Sequence, residues 1–239
     1  MKRALVTGGS GGIGQAICRR LAADGHHVLV HAHRNVDAAA ALVNEIKGSG
    51  GSAAVVVFDV IDACASTAAT TAMLADGPVQ IIVNNAGIHD DAVFPAMRAE
   101  QWQRVIDVSL NGFFNITQPL LLPMLRTRWG RIVNVTSVAG LVGNRGQVNY
   151  SAAKGALHSA TKSLALEVAS RGVTVNAVAP GIIAGGMGEK SFDKDDIERM
   201  VPMKRAGTAE EVADLIGFLC DARAGYITGQ VISINGGII

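Results

Sequence analysis

Aromatic residues are scarce in this chain, 4% of 239 positions, while Ala, Val, Ile, Leu and Gly dominate. That balance suits a parallel sheet buried on both faces by helices, and it excludes a disordered chain. Charge of one sign is lacking too. The net charge is +1, 17% of residues are charged and no long block of one sign occurs, so neither a nucleic-acid groove nor a polybasic membrane anchor is expected. Cys18, Cys64 and Cys220 are odd in number and far apart, without a Cys-x-x-Cys spacing, which argues against a disulfide framework or a zinc site. The longest apolar stretch, near Leu120-Leu121-Leu122, is interrupted by Pro119 and Pro123 and falls short of the ~20 residues that cross a bilayer. There is no Ser/Pro-rich linker and no repeat of solenoid period, so one domain over 1–239 is expected. From Met1 the chain enters the strand pattern Arg3-Ala4-Leu5-Val6-Thr7, leaving no room for a signal peptide, and a cytoplasmic location is expected.

What is present is alternation. Strand-like runs at 4–7, 28–31, 54–58, 81–84, 131–135, 173–177 and 230–234 are separated by longer helical patterns. Such βαβ units, with right-handed crossovers, predict an α/β fold, a doubly wound parallel sheet of about seven strands with helices on both faces. The least regular stretch, 182–196, carries glycines first and charges after, and is a candidate lid.

The first strand runs into Thr7-Gly8-Gly9-Ser10-Gly11-Gly12-Ile13-Gly14, followed by an amphipathic helix from Gln15 to Ala23. Glycines let the backbone approach a pyrophosphate, which unpaired N–H groups at a helix N-terminus stabilise. A plain strand-to-helix turn is the other reading of this segment alone. No Gly-Lys-Ser/Thr ending is present, which disfavours a nucleotide-triphosphatase loop. The second strand ends Val30-His31-Ala32-His33-Arg34-Asn35, with no acid before Asp37 to bind ribose hydroxyls. NADPH is therefore favoured, with Arg34 pairing the 2′-phosphate and His33 adding a donor; a solvated Arg at a strand end is the alternative. His31 and His33 share a strand face, but no third ligand is evident, so no metal is expected.

Tyr150 and Lys154 stand four residues apart, thirteen residues after Ser137. On a helix, positions i and i+4 share a face, so phenol and ammonium converge. A free phenol titrates near pH ~10, and a neighbouring cation lowers that value, which suits Tyr150 to protonate a carbonyl oxygen as hydride arrives at its carbon. Taken alone, the spacing also fits a helix-surface pair.

Thr7-Gly8 with Gly12-Ile13-Gly14, Asp59-Val60, Asn84-Asn85-Ala86-Gly87, Ser137, Tyr150/Lys154 and Pro180-Gly181, in that order, resemble the short-chain dehydrogenase/reductase family, with its Rossmann-like fold. The match spans almost the full chain, through Tyr226-Ile227-Thr228-Gly229-Gln230 and Asn235-Gly236-Gly237. Within that family, the run Gly143 to Tyr150 is most similar to the 3-oxoacyl-acyl-carrier-protein reductases. The resemblance implies that Ser137 holds the substrate carbonyl, Tyr150 donates the proton and Lys154 binds the nicotinamide ribose while lowering the Tyr150 pKa. It also implies that Gly8, Gly9, Ser10, Gly11, Gly12, Ile13 and Gly14 cradle the dinucleotide, that Asp59 and Val60 border the adenine, that Asn85, Ala86 and Gly87 lie along the cofactor, and that Pro180, Gly181 and Ile183 frame the nicotinamide. For Asn84 a bond between neighbouring strands is the stronger reading.

Two positions depart from the family pattern. Ser109 stands where members often carry the Asn of a proton relay with Lys154; Ser109 still serves if a main-chain carbonyl in a distorted helix turn holds the relay water, whereas Asn111 would face elsewhere. Gly185 stands where a Thr usually contacts the carboxamide. Arg128 and Arg171 match basic positions through which carrier-protein reductases dock an acidic acyl carrier protein, while Arg145 reads as a site-mouth residue. Small and apolar residues over 109–125 and 151–168 fit the family's homotetramer, with Pro119 and Pro123 expected to bend or end the first helix. The expected function is NADPH-dependent reduction of a 3-oxoacyl thioester to the 3-hydroxyacyl form, in fatty-acid or related polyketide- or polyene-type biosynthesis. The alternatives are a short-chain dehydrogenase for a sugar, sterol or simple alcohol, and a catalytically idle dinucleotide-binding scaffold, against which the complete Ser137, Tyr150 and Lys154 set argues.

Overall fold

The computed structural model describes residues 1–185 and 193–239. Seven strands form one parallel sheet: β1 (Arg3–Val6), β2 (His27–Ala32), β3 (Ser52–Val57), β4 (Ile81–Asn84), β5 (Gly130–Val135), β6 (Val173–Pro180) and β7 (Val231–Ile234), in the order β3-β2-β1-β4-β5-β6-β7. Each expected strand run is found, with ends shifted by at most a few residues. The sheet carries α1 (Gly12–Ala23), α2 (Val36–Gly48), α3 (Ala63–Ala75), α4 (Ala99–Ile106), α5 (Gly112–Arg126), α6 (Ala139–Val142), α7 (Val148–Val168), α8 (Lys194–Met200) and α9 (Ala209–Cys220).

Strand alternation builds two cores, one on each face. Ala4 and Val6 of β1, with Val28 and Val30 of β2, pack with Ile17 and Leu21 of α1, Leu42 of α2 and Ile216 of α9. Leu5 and Leu29, from the same strands, point the other way and meet Met73 of α3, Ile116, Leu120 and Met124 of α5, and Val168 of α7. Period-two side chains on strands buried on both faces require this division. Strand order reverses between β1 and β4, and ligands of such sheets bind in the crevice outside the carboxyl ends of the strands at that switch.

One helical expectation changes, and the distorted turn considered for Ser109 is found. Pro119 and Pro123 lie inside α5, which runs on to Arg126. A proline costs an interior helix ~3 kcal/mol, yet Ile116, Leu120 and Met124, all fully buried, hold the helix against the sheet on both sides of each ring. Packing overrides the local preference. Between α4 and α5, residues Asp107–Asn111 form a π turn instead of regular helix, placing Ser109 inside the protein.

A buried polar ladder joins the sheet to the helices on one face. Asn84 Nδ2 donates to Asn134 Oδ1 at 2.9 Å and to Thr117 Oγ1 at 3.1 Å. Asn134 Nδ2 donates to Thr161 Oγ1 at 2.8 Å, and that hydroxyl donates to Leu157 O at 2.7 Å. The inter-strand reading of Asn84 thus holds, and the ladder ties α5 and α7 to β4 and β5. Asn134→Leu strands Asn84 and Thr161 in the core, so the variant is expected to lose about 2–4 kcal/mol of unfolding free energy in a urea titration; an unchanged midpoint would show that the ladder adds nothing.

Candidate active site

The carboxyl end of β1 turns sharply at Gly8, whose φ of +63° is left-handed. Thr7 Oγ1 accepts from the backbone N–H groups of Asn85 and Ala86, each at 3.0 Å, and Asn85 Nδ2 donates to the carbonyls of Thr7 at 2.9 Å and Gly8 at 3.1 Å. A Cβ at Gly14 would run into the carbonyl oxygen of Gly8, so α1 approaches the turn as only glycine permits. No side chain caps α1, whose N-cap is Gly11. An open helix N-terminus behind a glycine turn at the switch point fits a dinucleotide pyrophosphate.

The chain beyond β2 and β3 is largely polar. His33 and Arg34 are exposed beyond β2, with His33 Nε2 3.5 Å from Asp59 Oδ2. Arg34 forms no ion pair among the described residues. Val60 is buried, and its carbonyl accepts from Asn115 Nδ2 at 2.9 Å.

The reacting end lies beyond β5 and on α7. Ser137 follows β5 by two residues, and its Oγ accepts from Ala139 N at 3.1 Å. Tyr150 sits in the first turn of α7 and Lys154 one turn later. Asn149, fully buried, fixes that first turn: its Oδ1 accepts from Tyr150 N at 2.8 Å, and its Nδ2 donates to Asp90 O at 2.9 Å and Gln101 O at 3.1 Å. Lys154 Nζ donates to Val135 O at 2.8 Å and lies 5.7 Å from the Tyr150 ring centroid. A Cβ on Gly87 would stand 3.0 Å from Lys154 Nζ and 3.7 Å from Ser109 Oγ, which brings the three residues to one point. Ser109 is 3% exposed, and its Oγ has no hydrogen-bond partner among the described residues.

A cavity of about 430 Å³ connects the two ends. Ile13 and Asn85 line it from the dinucleotide side, Ser137, Tyr150 and Lys154 from the reacting side, and Pro180, Gly181 and Ile183 from the floor. Its mouth carries a hydrogen-bonded strap in which His89 Nδ1 meets Asp91 Oδ1 at 3.0 Å, Gln147 Nε2 donates to Asp91 Oδ2 at 2.9 Å and Asn144 Nδ2 donates to Gln147 Oε1 at 2.9 Å. Arg145 also lines the mouth.

One expectation about the pair is reversed. Burial pushes the Tyr150 phenol up, the Ser137 hydroxyl beside it pulls it down, and Asp91 pushes it up again. Burial dominates because an uncharged phenol loses less than a phenolate on leaving water. Lys154 is itself pushed down from 10.5 to about 8 by burial. At neutral pH Tyr150 therefore carries its proton, the form a general acid requires.

Other expected residues fall elsewhere. Arg128 and Arg171 are exposed at the amino ends of β5 and β6, across the sheet from the cavity. Gly185 has φ +68°, a left-handed conformation in which the family's Thr would be strained. The candidate lid at 182–196 is described at both ends, where Asp193 caps α8, while 186–192 lie outside the described residues. The roles of three supporting residues escape motif reading: Thr7, His31 and Asn149. For His31 and for Asn134 the signal is a polar residue inside an apolar strand run, which must find a buried partner.

A parallel sheet with a glycine turn at its switch point, and a Ser, Tyr and Lys set beyond the next strand, defines a nicotinamide-dinucleotide oxidoreductase. The chain belongs to the short chain dehydrogenase family, whose model matches residues 2–196. It is 45% identical over 238 residues to the 3-oxoacyl-[acyl-carrier-protein] reductase FabG of Aggregatibacter actinomycetemcomitans, covering 98% of each chain. It is 46% identical over 238 residues to the 3-oxoacyl-[acyl-carrier-protein] reductase of Synechocystis sp., covering 99% of this chain and 96% of that one. Nodulation protein G of Azospirillum brasilense is 43% identical over 240 residues, with 99% and 98% covered.

Keeping Lys154 charged in place costs about 3 kcal/mol relative to water. Lys154→Met is therefore expected to unfold at higher denaturant than wild type at pH 7, by about 1–3 kcal/mol. Between pH 8 and 10.5 the unfolded wild-type chain binds more protons at this site than the folded chain, so wild-type stability rises with pH and the difference narrows. A variant that is less stable than wild type at pH 7 would contradict this account.

Proposed function

We propose that this protein reduces the ketone of a 3-oxoacyl thioester, carried on an acyl carrier protein, to the 3-hydroxyacyl form with NADPH, the whole of 1–239 acting as one reductase domain. The observation that carries the reading is the placement of Tyr150 beside Ser137, with Lys154 one helical turn behind it, in a cavity that Ile13 and Asn85 also line. The matching relatives named as 3-oxoacyl-[acyl-carrier-protein] reductases supply the substrate class. When bound, the dinucleotide supplies hydride to the carbonyl carbon. Ser137 Oγ–H orients the carbonyl oxygen, and Tyr150 delivers its proton to that oxygen as negative charge develops there. Lys154 borders the dinucleotide ribose. Ser109 Oγ, buried beside Lys154 and without a partner, supplies the next hydroxyl of the path that reprotonates Tyr150.

NADPH rather than NADH is supported by the unpaired Arg34 and by His33 at the end of β2. A homotetramer is supported by apolar side chains left uncovered: Phe114 at 62% exposure and Leu122 at 57% on α5, and Leu166 at 85% on α7. Arg128 and Arg171, across the sheet from their own chain's cavity, would then dock the carrier at the mouth of another copy. Three cysteines free of disulfides fit a cytoplasmic enzyme, and among the described residues no helix is long and apolar enough to cross a membrane.

Consumption of NADPH is expected with acetoacetyl-carrier-protein and, more slowly, with a free acetoacetyl thioester, while no reduction of NADP⁺ is expected with a panel of sugars and alcohols; absence of thioester turnover would sink the substrate class. Tyr150→Phe is expected to lower kcat by about 10²–10⁴ while dinucleotide binding persists. Arg34→Ala is expected to raise the KM for NADPH about tenfold and leave that for NADH unchanged; an equal effect on both would remove the case for the 2′-phosphate.

A further inference from the structure

His31 is a histidine inside an apolar strand, 2% exposed, and both of its ring nitrogens are engaged. Gly8 N donates to Nδ1 at 2.9 Å, so Nδ1 carries a lone pair and the proton sits on Nε2. Nε2 lies 3.0 Å from Phe58 O and donates to it. The ring also packs on that of Phe58, with centroids 4.3 Å apart and planes tilted by 49°. One side chain thereby joins the end of β2, the end of β3 and the glycine turn.

Gly8 is the pivot of that turn. Its carbonyl accepts from Asn85 Nδ2 and from Gly11 N, the latter at 3.1 Å, and it also faces Gly14 at the start of α1. Asn85 and the helix hold the carbonyl side of Gly8; the N–H side is held by His31 alone among the described residues. Without an acceptor there, a buried N–H is left unpaired at the residue whose left-handed conformation turns β1 into the glycine loop ahead of α1.

We propose that His31 is a positioning residue for dinucleotide binding, its neutral Nε2–H imidazole locking the Gly8 turn in the shape that receives a pyrophosphate. The role rests on dinucleotide binding by the family and is independent of which dinucleotide is used. Burial keeps the ring neutral, pulling its pKa from 6.5 down to about 4, a direction also favoured by His33 just beyond β2 and opposed by Phe58 O and Asp59 beyond β3. The turn from Thr7 to Gly14 brings no ionisable side chain to the ring.

Titration calorimetry with NADP⁺ and with NAD⁺ on wild type, His31→Leu and His31→Gln tests the assignment. His31→Leu fills the space without an acceptor and is expected to weaken both dinucleotides by the same factor, about tenfold. His31→Gln, with an oxygen to accept and an N–H to donate, is expected to recover most of the loss. Equal factors separate this effect from that of Arg34, which touches NADP⁺ alone. A folded His31→Leu protein that binds both dinucleotides as wild type does, or one whose loss is confined to NADP⁺, overturns the proposal. If His31→Leu does not fold, imidazole ¹⁵N spectra of wild type decide. A neutral Nε2–H tautomer at pH 7 whose signals move on adding NAD⁺ is expected, and an Nδ1–H tautomer or signals indifferent to the dinucleotide would overturn it.

Discussion

The ammonium of Lys154 is held 2.8 Å from the carbonyl oxygen of Val135 at a point water scarcely reaches, and the surrounding chain is arranged so that it fits there. Gly87 must lack a side chain, because a Cβ would stand 3.0 Å from Nζ. Gly140 must lack one as well, since its Cβ would lie 2.9 Å from the backbone nitrogen of Gly155, where α6 crosses α7. The Asn134 ladder fixes the distance from β5 to α7 from within the sheet. A charge buried at this cost is retained only where something other than stability selects it. Here it stands one helical turn behind Tyr150 and lines the same cavity, the place the proposed reduction requires of it.

Burial acts on both members of the pair and in opposite directions. It holds the phenol protonated and loosens the proton of the ammonium, so two acidities that lie close together in water, near 10.0 and 10.5, move apart, Tyr150 rising and Lys154 falling to about 8. The expectation of a cation depressing the phenol treats Lys154 as a fixed charge in water. Inside the protein the same low dielectric that strengthens the attraction also penalises phenolate. Ser137, a hydroxyl that accompanies the reacting oxygen, is the local group that favours the ionised form.

Much of this was legible in the sequence, and the parts that were not share a cause. Strand centres can be read because β-branched runs between turn residues are local signals, and the Gly8 to Gly14 turn because spacing alone specifies it. The length of β6 cannot be read locally: its last residues, Val178 to Pro180, are strand only because β5 and β7 pair with them. The continuity of α5 through two prolines depends on a sheet contacting Ile116, Leu120 and Met124, which no window on the helix contains. Arg128 and Arg171 match basic positions by motif, and because each lies just before a strand of a parallel sheet, both fall at the amino edge, away from the cavity at the carboxyl ends. The role of His31 depends on two partners, one of them 23 residues earlier and the other 27 residues later.

The two departures from the family pattern acquire different meanings from the same geometry. Gly185 sits left-handed, and its carbonyl is 3.4 Å from where a Cβ on Gly12 would be, so the chain after Ile183 closes on the glycine turn through backbone rather than through a hydroxyl. A Thr at this position would need another backbone path, so the replacement belongs to the local course of the chain. Ser109 is the opposite case. The π turn from Asp107 to Asn111 gives it a backbone that differs from ordinary helix, and the side chain that turn carries inward ends in an unsatisfied hydroxyl next to a charged amine. Single π turns of this kind are frequent at functional sites. In the proposed reduction, the shape of this helix, more than the identity of its side chain, is what would bring a hydroxyl to the side of Lys154.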